Sequence, residues 1–158
     1  MRTFSLLKNQ PVFDIKSGTK IGEVSDLFIT SNGVVKGLLV KKGAFIKQTV
    51  FLDIQNVASF GADGIMIEDA DHLEKLKTPP EYTFSHQHSL NGHMIVTKSG
   101  DSIGLLKDVY FLEELGTIVG YEITDGFFSE ITEGKQVIQS EKPPAIGRDA
   151  IIVDVNQT

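Results

Sequence analysis

The sequence contains itself twice, and that duplication constrains the fold more than any composition figure does. Lys16-Ser17-Gly18-Thr19-Lys20-Ile21-Gly22-Glu23-Val24-Ser25-Asp26 returns as Lys98-Ser99-Gly100-Asp101-Ser102-Ile103-Gly104-Leu105-Leu106-Lys107-Asp108, with six of eleven positions identical at an offset of 82. One inserted residue later the register continues: Gly33 with Gly116, Val35 with Ile118, Gly37 with Gly120, Val40 with Ile123, Gly43 with Gly126 and Phe45 with Phe128. After a further three-residue insertion, Gly61-Ala62-Asp63-Gly64-Ile65 meets Gly147-Arg148-Asp149-Ala150-Ile151. Landmarks kept in order mark one supersecondary unit used twice in 158 residues, so the fold must close within a short stretch of chain. Units that small bury little surface alone, which predicts an apolar interface shared by the two copies.

Each copy reads mostly as strand. Residues 21–30 and 103–112 are rich in Ile, Val, Leu, Phe and Tyr, as a pleated, half-buried surface prefers, and 34–42 and 117–124 form a second such pair. Asn32-Gly33 between two apolar runs predicts a tight hairpin, because both residue types tolerate positive φ. The second copy has Glu113-Glu114-Leu115-Gly116 instead, one residue longer, which predicts a different turn with its glycine in the left-handed region. One short helix is expected: Asp71-His72-Leu73-Glu74 has capping-box spacing with Asp71 as N-cap, and Lys77-Thr78-Pro79-Pro80 stops it. Close-spaced short strands with one short helix predict an all-β chain of two small barrels. The boundaries expected are 8–70 for the first unit, 71–89 for the helix and the linker Thr78-Pro79-Pro80-Glu81, and 90–156 for the second unit.

The pattern Lys-Ser-Gly-x-x-Ile-Gly-x-x-x-Asp, followed by a hairpin and a glycine in the next strand, resembles the PRC-barrel family. Its domains form the cytoplasmic part of the photosynthetic reaction-centre H subunit and the C-terminal part of the ribosome maturation factor, and many short bacterial proteins share them. The resemblance covers roughly residues 9–70 and 91–155. It implies a six-stranded barrel per copy and a role in binding proteins, and it supplies no shared catalytic residues. Neither the membrane helix of the reaction-centre subunit nor the separate N-terminal domain of the ribosome factor is read here, so neither specific function carries over.

Composition narrows the function classes. The net charge of −6 and the isoelectric point near 5.1 argue against a chain-wide phosphate-binding surface. No apolar run approaches the roughly 20 residues of a bilayer-spanning helix, and the start Met1-Arg2-Thr3-Phe4-Ser5-Leu6-Leu7-Lys8 meets a lysine before a signal-peptide core can form. Zero cysteines exclude disulfides and thiolate chemistry and fit a reducing compartment. A cytoplasmic protein without cofactors is the expectation.

The residues that could carry chemistry each have a structural reading beside the functional one. Asp26 and Asp108 sit amid apolar residues in both copies. A catalytic carboxylate pair has to be close, and these belong to different units. The reading taken is of structural carboxylates accepting N–H bonds from a nearby turn. His86, His88 and His93 lie within eight positions, and on a strand the first two would share a face as imidazole ligands should. No acidic residue lies between them, so a solvated connecting segment is the simpler reading, and no metal is assigned. Glu68-Asp69-Ala70-Asp71 lacks EF-hand spacing. Phosphate-cradling glycine motifs and a Gly-x-Ser-x-Gly elbow are absent from the sequence.

Charge divides the copies. Residues 1–80 carry ten Lys/Arg and nine Asp/Glu, whereas 81–158 carry five and twelve. One loop concentrates the difference: Lys41, Lys42, Phe45 and Lys47 in copy one align with Thr124, Asp125, Phe128 and Glu130 in copy two. A charge reversal around a retained aromatic predicts two diverged partner-binding surfaces. The leading expectation is therefore a non-enzymatic protein-interaction module with a cytoplasmic protein partner. Two alternatives stand beside it. One is an RNA- or ribosome-associated factor using Lys36, Lys41, Lys42 and Lys47; the other is a small-molecule or metal-binding regulator using the barrel interface and the histidine segment.

Overall fold

A computed structural model of the chain describes residues 1–124 and 136–155. The first half contributes strands β1 (Arg2–Thr3), β2 (Pro11–Asp14), β3 (Lys20–Ile29), β4 (Val35–Lys42), β5 (Gln48–Asp53), β6 (Ser59–Phe60), β7 (Ile65–Ile67), β8 (Leu73–Lys75) and β9 (Tyr82–Thr83). The second contributes β10 (Met94–Thr97), β11 (Ser102–Phe111), β12 (Ile118–Thr124), β13 (Gln136–Gln139), β14 (Ala145–Ile146) and β15 (Ala150–Val153). They form two sheets, one per repeat, ordered β6-β7-β2-β3-β4-β5-β8 and β13-β12-β11-β10-β15-β14. These are the two tandem β units that the duplication predicts, one sheet to each. The second follows the expected six-strand path; the first carries a seventh strand, β8.

The duplication extends to irregularities of register. In the first sheet the β3–β4 ladder slips between Val24 and Asp26 and again between Phe28 and Ile29; in the second the β11–β12 ladder slips between Leu106 and Asp108 and between Tyr110 and Phe111. Parallel pairs β2–β7 and β10–β15 also correspond. A β-bulge adds an unpaired residue and re-aims the side chains beyond it. Here Ser25 and Lys107 are the extra residues, so the bulge immediately precedes each motif aspartate. Downstream of Ser25, four successive residues, Asp26, Leu27, Phe28 and Ile29, are buried although a one-sided strand would bury every second one.

The reason is an exchange between the repeats. β9, which leads into the second repeat, pairs with β3 of the first (Phe28 with Thr83, Ile29 with Tyr82). β1, which leads into the first repeat, pairs with β11 of the second (Thr3 with Tyr110, Arg2 with Phe111). The two hairpins also meet: Val35 N donates to Gly116 O at 2.7 Å, and Ile118 N donates to Gly33 O at 3.1 Å. Gly116 has φ +76°, and a Cβ there would stand 2.0 Å from Val35 O, so both the turn and the approach require glycine. One hydrophobic cluster accordingly runs through both units, from Phe4, Leu27 and Leu38 to Leu106, Val109 and Tyr121.

Two local expectations need correction. Only Gly33 of the Asn32-Gly33 pair takes positive φ, and Thr30 N donates to Val34 O, closing a three-residue loop. Such loops place one left-handed glycine after an ordinary turn. The helix expected from Asp71 is a single 3-10 turn, Ala70–His72, capped by Asp69, whose carboxylate accepts from Asp71 N at 2.9 Å. Leu73 and Glu74 then form strand against Leu52 and Phe51. A capping box with one further turn cannot offset the cost of helix nucleation when a buried leucine can pair across a sheet instead. Among the described residues the α-helical turn is Phe4–Leu7, N-capped by Thr3.

Candidate functional site

Asp26 and Asp108 occupy equivalent places, each beside the segment that the other repeat sends across. Asp26 is fully buried, and its Oδ1 accepts from Leu27 N at 2.7 Å and Phe84 N at 2.8 Å, while Oδ2 accepts from Ser85 N and Ser85 Oγ, both at 3.1 Å. Asp108 Oδ1 accepts from Val109 N at 2.8 Å and Phe4 N at 3.1 Å, and its Oδ2 from Ser5 N at 3.2 Å. Apart from the N–H of the next residue, Leu27 or Val109, the donors come from across the molecule, not from a neighbouring turn. They belong to a tripeptide present twice, Thr3-Phe4-Ser5 and Thr83-Phe84-Ser85, which the sequence reading passed over. The two phenylalanine rings pack together with centroids 4.8 Å apart. The aspartates therefore clamp the crossing of the repeats, each satisfying N–H groups that burial would otherwise leave without water.

The histidines do not converge. His86 Nδ1 contacts the Asp26 carboxylate, His88 lies in a turn with φ +52°, and His93 Nε2 is buried without a partner among the described residues. Among the described residues no group of three or more His, Cys, Asp or Glu side chains is placed to hold a metal ion. Repeat two also buries Tyr121 and Glu122 where repeat one has Leu38 and Leu39, and burial pushes the Tyr121 phenol well above its ordinary value.

The basic loop is different in kind. β4 and β5 run antiparallel with Lys41 opposite Thr49 and Lys42 opposite Gln48, and residues 43–47 join them. Gly43 takes φ +117° at the turn, close against Ile46 O. Beyond it Phe45 is 101% and Ile46 86% exposed, so neither contributes to the core of its own chain. Lys20, Lys41, Lys42 and Lys47 border an open depression of about 310 Å³ behind this tip, together with Glu23, which pairs with Lys20. Lys20 and Lys47 hold the Glu23 carboxyl below its ordinary value, Lys20 doing most through a hydrogen bond. Lys36 does not join this group. It stands five residues up β4, about 17 Å along a strand, with its ammonium 5.7 Å from the Phe28 ring and 5.9 Å from that of Phe51. Asp125, Phe128 and Glu130, the charge-reversed counterpart, lie outside the described residues.

Known proteins give the same picture of the frame. The family model of the PRC-barrel domain matches twice, over residues 1–73 and 83–158, and the chain belongs to that family. Both matched segments include the crossing tripeptides at their beginnings. The chain is also similar to the uncharacterized protein YrrD of Bacillus subtilis, with 26% identity over 156 residues, covering 98% of this chain and 88% of that protein. Among the described residues no helix is long and apolar enough to cross a membrane.

Proposed function

We propose that the protein is a non-enzymatic docking module of the cytoplasm, in which two clamped PRC-type barrels present the hairpin of residues 41–47 to a partner surface. The observation that carries this reading is the complete exposure of Phe45 beside an exposed Ile46, at the tip of a hairpin whose adjoining depression is bordered by four lysines. Two large apolar side chains this exposed give up little intramolecular packing when a partner covers them, and burying such groups is the principal driving force of association. The surrounding lysines steer encounter with an acidic surface.

The test uses the full chain as an immobilised bait with Phe45→Ala and the double variant Lys42→Asp/Lys47→Glu as comparisons. Phe45→Ala should melt with the wild type, because the ring packs on nothing, and should release its partner faster. The charge-reversed double variant should associate more slowly. If both folded variants retain the same partners at wild-type rates, the docking reading is wrong. Binding that weakens steeply with added salt and is abolished by nuclease would instead identify a nucleic acid partner.

A further inference from the structure

We infer that the partner of the 41–47 hairpin is an anionic membrane surface, into which Phe45 and Ile46 insert while Lys20, Lys41, Lys42 and Lys47 meet lipid phosphates. The inference rests on the docking reading above and names the chemistry of that same site. Its first support is shape. Phe45 and Ile46 project from a hairpin tip at 101% and 86% exposure, a convex apolar wedge. A protein partner would need a matching apolar pocket rimmed by carboxylates, whereas a lipid surface deforms around a wedge. Its second support is layering. The lysines at 41, 42 and 47 lie one to four residues behind the apolar pair, within roughly 4–14 Å of chain. An anionic bilayer offers the same order, with phosphates at the surface and an acyl boundary about 5–10 Å beneath. Its third is charge. Four lysines against the single carboxylate of Glu23 make this patch locally cationic on a chain whose net charge is −6. One apolar wedge or one basic patch holds a protein on lipid weakly, and the two together hold it stably.

The expected magnitudes come from those parts. Each lysine near an anionic leaflet strengthens partition by roughly fivefold, so Lys42→Ala/Lys47→Ala should weaken binding by about 25-fold. Phe45→Ala with Ile46→Ala should weaken it by about tenfold or more. The chain contains no tryptophan, so Phe45→Trp places one reporter at the tip. With vesicles of phosphatidylcholine and phosphatidylglycerol its emission should shift to the blue and be quenched by lipids brominated in the acyl chain. Vesicles of phosphatidylcholine alone should produce neither effect, and added salt should weaken the binding to anionic vesicles.

Co-sedimentation of the folded full chain with the same vesicles reads the affinities. Absence of binding to anionic vesicles, equal binding to phosphatidylcholine alone, or an unshifted reporter overturns the inference. If vesicles fail while the immobilised bait still loses its partner through Phe45→Ala, the membrane assignment falls, the docking reading stands, and the partner is a protein. If neither assay responds to Phe45→Ala, both fall together.

Discussion

Replacing Asp108 by alanine should uncouple the leading segment of the first repeat from the second repeat before the molecule as a whole unfolds. In the wild type that carboxylate accepts from Phe4 N, Ser5 N and Val109 N at 2.8–3.2 Å, and the first and last of these bonds are buried. A buried donor left without an acceptor costs about 1–3 kcal/mol, and a half-exposed one recovers water at little cost. Two buried donors place the loss for Asp108→Ala at about 2–4 kcal/mol. Asp26→Ala should cost at least as much, about 3–5 kcal/mol, because Asp26 is wholly buried and also accepts from Ser85 Oγ. Asp→Asn at either position keeps one acceptor oxygen and turns an NH2 towards the serine N–H, so about half the loss should remain. Urea denaturation measures the total, with the slope checked for two-state behaviour. Amide exchange separates the mechanism: in Asp108→Ala the protection of Phe4 and Ser5 should fall further than that of the β3–β4 ladder. The clamps meet through the Phe4–Phe84 contact, so the double alanine variant should depart from additivity by at least about 0.5 kcal/mol. Alanine variants as stable as the wild type, or unchanged protection at Phe4 and Ser5, would refute the clamp.

Gly116→Ala should destabilise by about 2–4 kcal/mol in thermal melts, since the new Cβ meets Val35 O at a positive φ; Gly92→Ala, also at positive φ but in open space, should cost about 1–2 kcal/mol. The N-terminal ammonium, by hydrogen bonding, and Arg2 hold the Glu113 carboxyl below its ordinary value. A depressed carboxylate stabilises the fold above its unfolded value near 4.5 and loses that contribution as pH falls through the lower folded value. Glu113→Gln should therefore flatten the acid side of the stability profile below about pH 4.5, by no more than about 1 kcal/mol because the pair is half exposed.

The repeats, the long strands and the glycine-turned hairpins were legible in the sequence because each has a local signature: period-two burial, Asn-Gly or lone Gly, a fixed offset. Asp26 and Asp108 were legible as buried acceptors, since a carboxylate set twice among apolar residues has to be satisfied. Their donors were not. β1 and β9 are two residues long, too short for any periodicity, and the identical Thr-Phe-Ser tripeptides fall outside the units drawn at 8–70 and 90–156. The helix at Asp71 failed because propensity over seven residues is weaker than the cross-strand burial of Leu73 against Leu52. Phe45 was legible only as an aromatic kept among charges that reverse between the copies; that its ring stands wholly exposed at a hairpin tip depends on the folded β4–β5 pair.

A duplicated chain is its own control, and the comparison of its halves separates frame from function. What both copies share, the bulge before each aspartate, the Phe-Ser donors and the glycine turns that hydrogen-bond each other, serves to join the barrels. Side chains that differ at equivalent places carry no such common duty. His86, which contacts Asp26, stands where the first segment has the exposed Leu6, and Glu122 stands where the first barrel has Leu39. The lysine-bordered wedge belongs to the same class, because nothing in the frame depends on Phe45 or Ile46. Reciprocal clamping then has a functional consequence. With each repeat holding the other's leading segment, the barrels form one body, and load applied at the hairpin tip is carried by both sheets. Weakening the clamp with Asp108→Ala should therefore leave the affinity of the hairpin for the anionic surface proposed above unchanged, while lowering the frame's resistance to unfolding once the tip is held.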